Sequence, residues 1–132
     1  MLCSLRSAFL SAAIALAALG ATAIPALAQM QLLMFQQDGC PWCARWNAQI
    51  GPIYPKTTEG KEAPLTRLDI HAPLPTGIAL ARRPQFTPTF VLVRDGKEIG
   101  RIEGYPGADF FWGLLDGMLT TATPAQPVPA KS

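Results

Sequence analysis

The sequence predicts an α/β layered domain, a mixed four-stranded sheet flanked by helices. Three observations lead there. Segments of strand and helix period alternate as a βαβ unit followed by a ββα unit. A right-handed crossover through the first helix makes the first two strands parallel, while an Asp95-Gly96 turn makes the last two antiparallel. The length of 132 residues, with 49% hydrophobic and 15% charged content, suits one small globular core. The formal net charge of +2 leaves neither a basic face for nucleic acid nor an acidic tail.

The elements follow in order. Arg6 is the only charge in residues 1–28, and residues 8–19 are apolar apart from Ser11. Gly20, Thr22 and Pro25 break that run, and Ala26-Leu27-Ala28 places small residues where a signal peptidase reads them. Residues 1–28 are therefore expected to be a cleaved secretory signal; an uncleaved membrane anchor over residues 8–28 is the alternative. Cleavage removes Cys3, so the exported domain keeps only Cys40 and Cys43, outside the reducing cytosol.

Met30–Gln36 (MQLLMFQ) reads as a short buried strand. The loop Gln37-Asp38-Gly39 leads to the cysteine pair, and Pro41 fits the first turn of a helix that Gly51-Pro52 ends. Residues 57–62 read as polar loop. Residues 65–70 (LTRLDI) alternate as a second strand. Pro73, Pro75 and Pro84 make residues 71–84 mainly loop, with a turn or two of helix over 77–82. Residues 88–94 (PTFVLVR) are β-branched and aromatic, and residues 98–103 (EIGRIE) form the return strand. Residues 107–121 are helical, with Phe110, Phe111, Leu114, Leu115, Met118 and Leu119 on one broad apolar face read as core. The domain thus covers residues 29–121. Residues 122–132, with Pro124, Pro127 and Pro129, are expected to be a disordered tail.

The chemistry centres on Cys40-Pro41-Trp42-Cys43. A helix start presents free backbone N–H groups and the positive end of the dipole, which stabilise a thiolate. Cys40 falls at that start, exposed and nucleophilic. Cys43 falls one turn in, shielded, and resolves the mixed disulfide. The two other readings of the spacing are a stabilising disulfide and a zinc site. A loop this short adds only about 2 kcal/mol in the chain-entropy model. A structural zinc needs four ligands, whereas the exported domain offers two cysteines and His71. No metal and no cofactor beyond the redox-active disulfide are expected.

Pro88 follows Thr87 and opens a strand, a position a proline tolerates because it donates nothing to the ladder. Trp42 is expected to shape the substrate surface, and Trp46, one turn later, to pack in the core. Arg45 is read as facing solvent, His71 as an ordinary loop residue, and Arg82-Arg83 as a solvated charge run able to steer an acidic partner.

The order of strand, C-P-W-C helix, strand and then Thr-Pro before a hairpin resembles thioredoxin and glutaredoxin, in a minimal, glutaredoxin-sized form. The resemblance implies that Pro88 is a cis-proline packed on the active-site disulfide and that Thr87 contacts the substrate strand. Residues 33–36, Asp38-Gly39-Cys40, Cys43-Ala44-Arg45-Trp46, residues 86–93 and Glu103-Gly104-Tyr105-Pro106 with residues 109–112 are similar to the periplasmic thioredoxins of bacterial sulfur-oxidation (Sox) operons. That closer resemblance implies a periplasmic reductase of protein disulfides that keeps the sulfur-carrier protein SoxY active and draws electrons from a membrane thiol transporter; a monomer is expected, though the sequence leaves the oligomeric state open. Met34 stands where thioredoxin has a buried aspartate, and Pro41-Trp42 replaces Gly-Pro. A non-catalytic binding module with a static disulfide, or an oxidase or isomerase of exported proteins, are the rival functions, since the C-x-x-C spacing does not set redox direction.

Overall fold

β1 (Met30–Gln36) is the axis of the sheet because it is apolar on both faces. Leu32, Leu33, Met34 and Phe35 are each 1% exposed or less, the continuous burial of an inner strand rather than an alternating one. The structure, a computed structural model, describes residues 29–123. The expected signal segment and all but the first two residues of the expected tail lie outside the described residues.

β1 runs parallel to β2 (Leu65–Asp69) on one side and antiparallel to β3 (Thr89–Arg94) on the other. β4 (Lys97–Glu103) completes the order β2-β1-β3-β4. Arg94 pairs with Lys97, so Asp95-Gly96 is the whole turn, and both residues have positive φ, 50° and 79°. That combination matches the right-handed twist of the hairpin. Gly96 is required for a second reason: a Cβ there would drive into the Gly77 carbonyl oxygen.

One face of the sheet is covered by α1 (Pro41–Gln49) and α3 (Ala108–Ala122). Trp46 on α1 is fully buried against Phe90 at 5.1 Å, Phe111 at 5.5 Å and Tyr54 at 6.1 Å between ring centroids. It is core, as its spacing predicts. α3 corrects the broad apolar face. Phe111, Leu115 and Leu119 are buried, but Phe110 is 70% and Leu114 49% exposed. A helix lying on a sheet buries a narrow i, i+4, i+8 stripe, and residues one position earlier are rotated to its flank.

The segment expected to be polar loop also differs. Tyr54–Lys56 forms a 3-10 turn and Thr58–Glu62 forms α2. Thr57 caps α2, its Oγ1 accepting from the Gly60 N–H at 3.0 Å, and the buried Tyr54 hydroxyl donates to the Ala63 carbonyl at 2.7 Å. The cap outweighs the poor helix propensity of the glycine.

The opposite sheet face carries Leu33, Phe35, Val91 and Val93. No helix covers it at residues 77–82. The irregular segment lays Leu74, Ile78 and Leu80 over these side chains instead, and Ala79 pairs with the sheet edge at Lys97. Pro73 and Pro75 together with Gly77, at φ 88°, exclude a helix, while the partly buried apolar side chains still gain a share of the about 1.5–3 kcal/mol that full burial of each would give.

Candidate active site

β1 delivers the chain to its own carboxyl end near the middle of the sheet, and Gly39, at φ 74°, turns it into α1. Cys40 is the N-cap residue of α1, in extended conformation, and its Sγ accepts from the Cys43 N–H at 3.1 Å. Pro41 occupies the first helical position, where its missing N–H is not needed. No acidic side chain lies in the first turn, so the positive helix end is left to the sulfur. Cys40 and Cys43 are joined as a disulfide with Cα atoms 5.3 Å apart.

The two sulfurs sit in different surroundings. Cys40 is half-buried, whereas Cys43 is 3% exposed and belongs to the core cluster with Met34, Trp46 and Phe90. Met34 makes the floor beneath the pair apolar. The polar groups lie to one side, in an open groove of about 530 Å³ lined by Gln36, Gln37, Asp38, Asn47, Arg67 and Asp69 along with both cysteines. Within it the Arg67 guanidinium donates twice to Asn47 Oδ1, at 3.1 and 3.0 Å, and Asn47 Nδ2 donates to Gln36 Oε1 at 3.3 Å. None of these three stands out in the sequence, because their meeting depends on β2 lying beside β1.

The Thr87–Pro88 peptide bond is cis, with Pro88 buried and Thr87 half-buried. The Pro88 carbonyl accepts from the Gly104 N–H at 2.7 Å, and Thr89 Oγ1 donates to the Phe86 carbonyl at 2.7 Å, which fixes this corner on both sides. Gln37 connects it to the cysteine loop: its Nε2 donates to Thr87 Oγ1 at 3.0 Å. Trp42 is 52% exposed, with the Arg45 guanidinium 5.6 Å from its ring centroid, so Arg45 is at once on the surface and over an aromatic face. Phe86, 62% exposed beside Thr87, is an apolar surface residue without a distinguishing sequence signal.

Three residues read as ordinary have definite partners. His71 Nε2 lies 2.9 Å from Gln37 Oε1. Arg82 pairs with Glu103. Arg83 is a staple, donating from Nη2 to the Ile70 and Ala72 carbonyls at 3.1 and 2.5 Å. Their exposed positions explain why composition alone reads them as solvated.

A half-exposed cysteine capping a helix, disulfide-bonded to a buried one a turn later, can exchange with a partner's thiol and, once reduced, with a partner's disulfide; with this sheet order it defines a thiol-disulfide oxidoreductase of the thioredoxin fold. A family model described as thioredoxin-like domain matches residues 21–119, and the chain belongs to that family. Among solved structures, the periplasmic thioredoxin SoxS from Paracoccus pantotrophus, in reduced form, is 54% identical with a TM-score of 0.70, covering 71% of this chain and 99% of that one. A Malassezia sympodialis thioredoxin is 16% identical with a TM-score of 0.48, covering 69% of this chain and 78% of that one. A Fasciola hepatica thioredoxin is 17% identical with a TM-score of 0.47, covering 67% and 81%. A comparison with curated proteins gives no match.

Proposed function

We infer that the protein is a periplasmic reductase of protein disulfides, with Cys40 as nucleophile and Cys43 as resolving thiol. The observation that carries the assignment is the asymmetry of burial: a partner's sulfur can reach half-buried Cys40 and not Cys43, at 3% exposure. The Cys40 thiolate attacks one sulfur of the substrate disulfide, and the other sulfur leaves as a thiolate. The Cys43 thiolate then attacks Cys40 Sγ, and the substrate's remaining sulfur leaves. Two electrons pass to the substrate, and the chain ends as the Cys40–Cys43 disulfide. A membrane thiol transporter resets it by donating two electrons through the same exchange.

Trp42, Thr87 and Pro88 form the lip against which the substrate chain lies. The exposed indole offers apolar contact area, and cis-Pro88 lacks an N–H that would compete for the substrate's carbonyls. The similarity to a periplasmic thioredoxin and the leader-like residues 1–28 together support the periplasm as the working compartment. The carrier cysteine of SoxY, blocked as a disulfide, is the substrate we assign.

The test is trapping. Cys43→Ser cannot resolve the mixed disulfide, so it should hold oxidised SoxY on Cys40 as an adduct that dithiothreitol releases. Equal capture by Cys40→Ser would contradict the assignment of the nucleophile. Capture of other exported proteins with SoxY left free would contradict the substrate.

A further inference from the structure

Among the described residues, Gln37 is the one side chain hydrogen-bonded to both His71 and Thr87. Its amide is committed at both ends: Oε1 lies 2.9 Å from His71 Nε2, and Nε2 lies 3.0 Å from Thr87 Oγ1. An amide oxygen only accepts and an amide nitrogen only donates. With the nitrogen on Thr87, the oxygen accepts from His71 in the tautomer that carries its proton on Nε2. His71 is itself held in place. Its backbone N–H donates to Asp69 Oδ1 at 2.7 Å, and Arg83 ties down the carbonyls of the residues on either side of it.

The consequence falls on Thr87. A hydroxyl has one proton to donate and two lone pairs to accept with. Gln37 takes a lone pair, and among the described residues no acceptor takes the Thr87 proton. Thr87 is half-buried next to cis-Pro88 and its bond to Gln37 is exposed, so the free donor direction of the hydroxyl is open to an incoming chain. Were the amide reversed, its oxygen would take that proton and the donor would be lost.

We propose that Gln37, clamped by His71, is a positioning residue that keeps the Thr87 hydroxyl as a hydrogen-bond donor to a backbone carbonyl of the bound disulfide substrate. The role rests on the reading of Thr87 as a substrate contact. It concerns peptide substrates only, since a small disulfide without a carbonyl gains nothing from the donor.

The experiment compares single-turnover rates of the pre-reduced protein with two probes: insulin, a peptide disulfide, and dithiodipyridine, an aryl disulfide without a peptide group. Both are reduced to thiols as Cys40 and Cys43 become the disulfide, so the ratio of the two rate constants isolates peptide recognition from redox chemistry. One neutral hydrogen bond corresponds to roughly a fivefold change. The insulin-to-dithiodipyridine ratio should fall by about that factor in Gln37→Met and in Thr87→Val, and by no more in the double variant, because both remove one shared interaction. Thr87→Ser, which keeps the hydroxyl, should retain the wild-type ratio, and His71→Phe should lower it. A ratio lowered in Thr87→Val but unchanged in Gln37→Met overturns the positioning role and leaves the Thr87 contact standing. A ratio unchanged in both overturns the Thr87 contact itself.

Discussion

Replacing Met34 by aspartate would put a carboxyl where the fold has built an apolar floor. Met34 is fully buried on β1, between Arg67 of β2 and Phe90 of β3 in register, with its side chain in the cluster that holds Cys43 and Trp46. The one buried side-chain donor without a partner among the described residues is Trp46 Nε1–H, so a new carboxylate there finds at most one ready hydrogen bond. Burial of this kind raises a carboxyl pKa by about 3 units, and each unit is worth about 1.4 kcal/mol. With the folded-state pKa above the unfolded value, the folded chain holds the extra proton, so stability is full below the unfolded pKa of about 3.9 and declines as pH rises through the folded pKa. Met34→Asp should therefore lose about 4 kcal/mol more than Met34→Leu between acid and neutral pH, a large share of a typical 5–15 kcal/mol. Urea unfolding of both oxidised variants from pH 4 to pH 8 measures it. Parallel stability curves for the two variants would refute the description of an apolar, water-excluded floor.

The remaining predictions concern the scaffold. The Glu98 carboxylate, hydrogen-bonded first of all by Arg101 at 2.6 Å, is held below the usual carboxylate range, so its contribution is present above the unfolded pKa and is lost as pH falls through the depressed folded one. Glu98→Gln should cost about 1–3 kcal/mol at neutral pH, with the gap to wild type closing in acid, as read by thermal unfolding across pH. Burial pushes the Tyr54 hydroxyl up from its ordinary 10.0, with the Glu59 charge adding to it, so the folded state keeps a proton that the unfolded chain gives up and stability falls in alkali. Tyr54→Phe should lose about 1–2 kcal/mol at neutral pH, from the orphaned Ala63 carbonyl, yet show a shallower alkaline decline in the same scans; the slope left over belongs in part to Tyr105, which burial also raises. Thr57→Ala removes the α2 cap and should cost about 1 kcal/mol in urea unfolding.

Much of this architecture is legible in the residues. The run Leu32–Phe35 announces a strand buried on both faces, Asp95-Gly96 announces the hairpin, and the Cys-Pro pair after Gly39 announces a helix start with a sulfur at its cap. Each is a local signal with a local cause. What escapes is what depends on distant chain segments meeting. The bond from Gln37 to Thr87 spans a sequence separation of 50, and nothing in either neighbourhood marks it. Helical periodicity locates the α3 stripe but not its width, which is set by how much of the helix the sheet can cover; hence Phe110 and Leu114 lie outside it. The segment over the second sheet face shows Leu74, Ile78 and Leu80 as apolar, but prolines leave no period by which to aim them.

The central claim is that Cys40, at the cap of α1, performs thiol-disulfide exchange and Cys43 completes it. Insulin reduction driven by dithiothreitol tests this most directly, with the wild-type protein beside Cys40→Ser. The wild type should accelerate insulin precipitation well above dithiothreitol alone, and Cys40→Ser should not exceed that background. Equal rates for the two proteins, whether fast or negligible, would contradict the account.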